Sequence, residues 1–174
     1  VVLFYAGWAC SYPLSFWLDN PRITPQFGVV LAAGASLILF APSLAERIYL
    51  FSAAALLASL YLLVTQLYAR DPVLILYSAK ADPVIIVSAV TLLLFKRSKE
   101  QIGAISLGMA AGDASSALIP VPGAEPVIGS ALWCDQWWLA VTVVCLATLI
   151  CNQLNRGIRK FAPHIDTRLK GWKR

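Results

Sequence analysis

Prolines and charged residues cut this chain into apolar runs close to the length that a helix needs to cross a bilayer, roughly 20 residues for about 30 Å of hydrocarbon. Such runs constrain the fold more than any motif does, because backbone groups in lipid must find their hydrogen bonds within the segment. Of 174 residues, 59% are hydrophobic and 13% charged, whereas soluble domains carry roughly a quarter charged residues. The expected class is all-α: a polytopic transmembrane helix bundle.

Six spans are predicted: Val1 to Leu18, Gln26 to Ala41, Ile48 to Ala69, Pro83 to Phe95, Gln101 to Ile119 and Ala131 to Asn152. The first has neither a basic leader nor a small-residue cleavage site and reads as a retained span. The fourth opens with Asp82 as N-cap and Pro83 at the first helical position, and its 13 residues rise only about 20 Å, short of a full crossing. Residues 1–155 are read as a six-helix domain and 156–174 as a basic cytoplasmic tail. Between the spans, Val73 to Tyr77 reads as an interfacial or re-entrant turn, and Pro120 to Pro126 as a stiff loop.

Orientation follows from the basic residues, which are retained on the cytoplasmic side of short loops. With both termini inside, Arg47, Lys96, Arg97, Lys99 and seven tail residues from Arg156 to Arg174 face the cytoplasm, eleven in all, against Arg22, Arg70 and Lys80 outside. Trp133, Trp137 and Trp138 are then expected at the outer headgroup level. Basic residues placed this way read as topology determinants facing anionic lipid, and they lack the aromatic interleaving of a nucleic-acid surface.

Asp113 is the residue whose presence most needs a reason. It lies about 18 Å along its span, where an ionised carboxylate costs at least about 2.5 to 3.5 kcal/mol. Two readings stand: a proton or cation site facing the bundle interior, or a carboxylate that fixes packing through a hydrogen bond, with Ser115, Ser116 or Gln66 as candidate partners. Just before it, Gly108 and Gly112 form a GxxxG within a stripe of Ala104, Gly108, Gly112 and Ser116; Gly28, Ala32 and Ser36 give the second span a similar face. Such stripes let helices approach closely, either inside the bundle or in a homodimer or partner complex. Arg70, Asp71, Lys80 and Asp82 either anchor the interface or rim an outward cavity above Asp113.

Catalytic signatures are missing from the sequence. The one histidine, His164, lies in the tail, and Walker A, GxSxG and HExxH patterns do not occur. Four cysteines, Cys10, Cys134, Cys145 and Cys151, make no CxxC pair, so neither a metal nor another cofactor is expected. The chain is read as no enzyme.

Leu3-Phe4-Tyr5-x-x-Trp8, then Leu67-Tyr68-Ala69-Arg70-Asp71-Pro72-Val73, then Gly108-x-x-x-Gly112 followed at once by an acid, resemble the YphA-type membrane proteins of endospore-forming bacteria. The family pattern has Gln-Gly-Glu where this chain has Ala111-Gly112-Asp113, an acid one carbon shorter. The resemblance implies a small multispanning membrane protein and no reaction. An accessory or scaffold component is the expected function, with a small transporter or substrate-binding subunit using Asp113 as the alternative. The first predicts packed small-residue faces and an acid capped by a hydrogen bond; the second predicts a polar cavity containing Asp113.

Overall fold

A computed structural model describes residues 23–78, 80–119 and 127–171, with side-chain surroundings as far as residue 154. Thr24 is extended and Pro25 follows it in the first turn of α1, Pro25–Leu39, where the missing N–H of proline is no loss. Ser43 opens α2, Leu44–Arg70, its hydroxyl accepting the Glu46 N–H at 3.1 Å. This Ser-x-x-Glu start puts the helix four residues ahead of the apolar run that announces it. Asp71 ends α2, and Pro72–Leu74 makes one 3-10 turn. Then come α3, Asp82–Leu94; α4, Ser98–Ala117; and α5, Ala131–Gly171, which continues through most of the basic tail without a break.

The centre of the molecule is α4, which packs along α2, α1, α5 and α3. Its inward residues are mostly small: Gly103, Ala104, Ser106, Gly108, Ala110 and Gly112 are all buried. A helix covered by other helices on several sides has little contact with lipid and little need to be apolar, which accounts for its serines and glycines. Leu57, Tyr61, Val84, Val87, Ile105, Met109, Trp133 and Val144 complete the core between the helices.

The six equal spans expected from the sequence are not what forms. Among the described residues there are five α-helices, and two of them are long and apolar enough to cross a membrane: α2, and α5 over Ala131–Leu154. With 15 and 13 residues, α1 and α3 rise only about 22 and 20 Å, short of the hydrocarbon thickness. At 20 residues α4 is long enough, but Lys99, Glu100, Asp113 and its small polar residues take it out of the apolar class. The predicted span at Val1 to Leu18 lies outside the described residues. Placing both termini on one side rested on six crossings and falls with that count.

What α2 and α5 do show is an outward apolar surface. Only 33% and 22% of their most apolar stretches are buried, and Phe51, Leu56, Leu63, Leu146, Leu149 and Ile150 stand exposed. A core helix of a soluble protein would be mostly covered; this pattern fits a lipid environment.

Successive helices run between two ends of the bundle. At the basic end, Arg97 lies 3.4 Å from Glu100 and 3.9 Å from Glu46, and the Tyr49 hydroxyl donates to the Leu94 carbonyl at 3.1 Å. Gln101, 1% exposed, donates to the Phe95 carbonyl at 2.8 Å and accepts from Thr148 at 2.9 Å. The opposite end carries Asp82 and Asp113.

Candidate functional site

Two carboxylates organise the end opposite the basic residues, and each ties down a loop. Asp82 does not cap α3, whose N-cap is Ala81. Its carboxylate reaches back over the preceding loop: Oδ2 accepts N–H groups of Leu76 and Tyr77 at 2.9 and 3.1 Å and the Tyr68 hydroxyl at 3.2 Å, while Oδ1 accepts the Ser78 N–H at 3.3 Å. Burial alone would raise its pKa, but the hydrogen bonds from Tyr77, Ser78, Leu76 and Tyr68 outweigh it and hold the carboxyl below its ordinary value. The segment expected as an interfacial turn is thus a fixed loop, with Val73, Leu76 and Tyr77 exposed.

Asp113 plays the same part for the loop that enters α5. Its Oδ2 accepts the Gly129 N–H at 2.7 Å. The Gly129 carbonyl in turn accepts the Thr24 hydroxyl at 2.7 Å, and the Thr24 N–H donates to the Ile128 carbonyl at 3.0 Å. Gly129 has φ of +76°, and a Cβ there would lie 2.6 Å from that of Phe27. Only glycine meets both conditions without strain. The start of α1, the end of α4 and the start of α5 are therefore joined in one polar latch. Ser115 and Ser116 bond to backbone carbonyls of α4, so neither serves the carboxylate as the sequence reading expected.

Gly108 and Gly112 face α2 of the same chain. A Cβ on Gly108 would come 2.8 Å from that of Leu57, and one on Gly112 would meet the Tyr61 ring at 2.8 Å and the Ala58 carbonyl at 3.0 Å. On α1 the packed small residue is Gly34, against Ser106 and Leu107, while Gly28 has open space around it. The stripe expected on that helix is therefore one face out of register with the contact.

Arg70 is exposed and Asp71 accepts the Val73 N–H at 3.1 Å. Arg70 borders a cavity of about 360 Å³ with Ser59, Leu63, Gln66 and Ile119, and Asp113 is not in its lining. This cavity is therefore not the outward cavity above Asp113 that is one of the two readings of these charges.

Sequence reasoning missed Tyr61 and Gln136. The Tyr61 hydroxyl donates to Gln136 Oε1 at 2.8 Å, and Gln136 Nε2 donates to the Lys80 carbonyl at 3.0 Å, joining α2, α5 and the loop before α3. A glutamine beside Asp135, among three tryptophans at the start of an apolar run, was the available signal. Trp133 and Trp137, expected at the headgroup level, are 1% and 2% exposed. Their indole N–H groups donate to the Met109 carbonyl at 3.3 Å and to Ser106 at 3.1 Å on α4. Partners inside the bundle outcompete the interface for these rings.

Among the described residues no group of three or more His, Cys, Asp or Glu side chains is placed to hold a metal. The model of the YphA-like integral membrane proteins matches residues 10–172. The chain belongs to this family. As a YphA-like protein it is an integral membrane protein, in agreement with the outward apolar faces of α2 and α5. The family description names no reaction. No curated protein and no solved structure matches the chain.

Proposed function

We propose that this YphA-like protein is a non-catalytic accessory or scaffold component of a bacterial cytoplasmic membrane, with its basic end and the tail at 156–174 on the cytoplasmic side. The observation that carries the reading is the hydrogen bond from Gly129 N–H to Asp113 at 2.7 Å. The most conspicuous carboxylate of the sequence is engaged in holding a loop. Packing of Gly108 and Gly112 against Leu57 and Tyr61 supports it too, because the α4 stripe is filled by the chain's own α2. A partner protein would then use another surface. Grouping of Arg47, Lys96, Arg97 and Lys99 at one end supports the orientation, since basic residues are retained on the inner side.

The transporter alternative requires Asp113 to carry a proton or a cation. Proteoliposomes containing the full chain, loaded with a pH-sensitive dye and held at a potassium diffusion potential, test this directly. The expected result is no proton or cation flux above empty vesicles, for the wild type and Asp113→Asn alike. Flux that the wild type supports and Asp113→Asn abolishes would overturn the accessory reading.

A further inference from the structure

At the basic end the described residues enclose a cavity of about 660 Å³ between the end of α1, the start of α2 and the start of α4. Its wall is apolar, with Leu37, Phe40 and Leu50, while Lys96 and Arg97 on the α3–α4 connection and Lys99 in the first turn of α4 border it. Phe40 is 86% exposed, so this wall is open from the side. Of the charged groups in the lining, Glu46 and Glu100 are both engaged by Arg97. Lys96 and Lys99 make no ion pair among the described residues. Among the described residues no side chain caps the start of α4, which lies beside the same lysines, and its first N–H groups carry the positive end of the helix dipole.

An apolar wall with cationic groups at its mouth calls for an amphiphile with a negative head. A free phosphate ion would leave the leucine and phenylalanine surfaces wet, and a neutral hydrocarbon would leave the lysines unpaired. We propose that this cavity binds a membrane phospholipid of net negative charge, its phosphate against Lys96, Lys99 and the start of α4 and the upper part of an acyl chain along Leu37, Phe40 and Leu50. Basic pockets between membrane helices are a recurring way to hold acidic headgroups. This site is at the opposite end from Asp113 and is independent of the accessory reading, so the flux assay and the lipid assay fail separately.

The test uses the full chain in a neutral detergent, titrated with phosphatidylglycerol, with phosphatidylcholine or with inorganic phosphate, and followed by the unfolding midpoint. Phosphatidylglycerol is expected to raise the midpoint saturably, and the other two to do so weakly or not at all. Lys96→Gln combined with Lys99→Gln is expected to weaken the phosphatidylglycerol effect about 30-fold, from roughly 1 kcal/mol per basic residue. Each single change is expected to weaken it about fivefold, which keeps the test available if the double variant fails to fold. Lys80→Gln, at the other end, should change nothing. Equal protection by phosphatidylcholine, full protection by inorganic phosphate, or an undiminished phosphatidylglycerol effect in the lysine variants would each overturn the proposal.

Discussion

Removing the Asp113 carboxylate should loosen α5 from α4, and the size of the effect follows from the latch. Asp113→Ala deletes an acceptor 2.7 Å from the Gly129 N–H. A hydrogen bond to a charged group is worth about 1.5 to 3 kcal/mol, and because the bared N–H is left without an acceptor the loss falls in the upper part of that range, about 2 to 3 kcal/mol. Asp113→Asn keeps an oxygen at the same place and should lose about 1 kcal/mol. Gly129→Ala strains the backbone at φ +76° and brings a Cβ to 2.6 Å from that of Phe27. About 1 to 2 kcal/mol for the left-handed conformation and 1 to 3 for overpacking give about 2 to 5 together. If the loop is already displaced in Gly129→Ala, removing Asp113 from that variant should lose far less than removing it from the wild type. Reversible unfolding in mixed micelles of the four proteins measures this as a coupling of about 1 kcal/mol or more. Additivity within about 0.5 kcal/mol would refute the latch, as would an Asp113→Ala variant as stable as the wild type.

Other outcomes follow from the same contacts. Gly112→Ala should destabilise by about 1 to 3 kcal/mol because the Ala58 carbonyl, 3.0 Å from the new Cβ, belongs to the backbone and cannot step aside; Gly28→Ala, with open space around it, should stabilise by about 0.5 to 1 kcal/mol in the same micelle assay. The Ser88 hydroxyl is fully buried and has no hydrogen-bond partner among the described residues, so Ser88→Ala should be neutral or stabilising by up to about 1 kcal/mol, and a clear loss would reveal a partner. Because the Asp82 carboxyl is held below its ordinary value, its contribution is complete above the unfolded pKa of about 3.9 and is lost as pH falls through the folded one. The stability gap between wild type and Asp82→Asn should therefore be constant near neutrality and close in acid; a gap that widens as pH falls would contradict the assigned bonds.

Part of this architecture was legible from residues. Prolines 72 and 83 and the charged breaks put the helices close to their observed places, and the α5 start at Ala131 is the predicted one. The inequality of the helices was not legible, because a run bounded by breakers shows where a helix ends and not whether lipid or protein surrounds it. The hydrophobic pattern adds nothing there: α4 is covered on several sides and shows no single apolar face. The carboxylate at position 113 stood out, but its partner is the backbone N–H of Gly129, sixteen residues on, and a backbone group carries no residue signature. The tryptophans misled for a related reason. Their amphipathic rings suit a headgroup layer equally well until an acceptor on α4 is known, and Ser106 and the Met109 carbonyl supply it.

The central position of α4, with its glycines, serines and Asp113, bears on how the molecule is assembled in the membrane. Alone, α4 would enter hydrocarbon poorly, since Ser106, Asp113 and Gln101 would each meet lipid unpaired. Earlier helices can cover only part of it: α1 packs Gly34 against Ser106 and Leu107, and α2 seats Gly108 and Gly112. The Trp137 N–H that meets Ser106, the Thr148 hydroxyl that meets Gln101, and the Gly129 N–H that meets Asp113 all belong to α5 or the turn leading into it. A nascent chain that stops short of α5 therefore lacks these partners, and synthesis of the last helix is the event that closes the polar interior around α4.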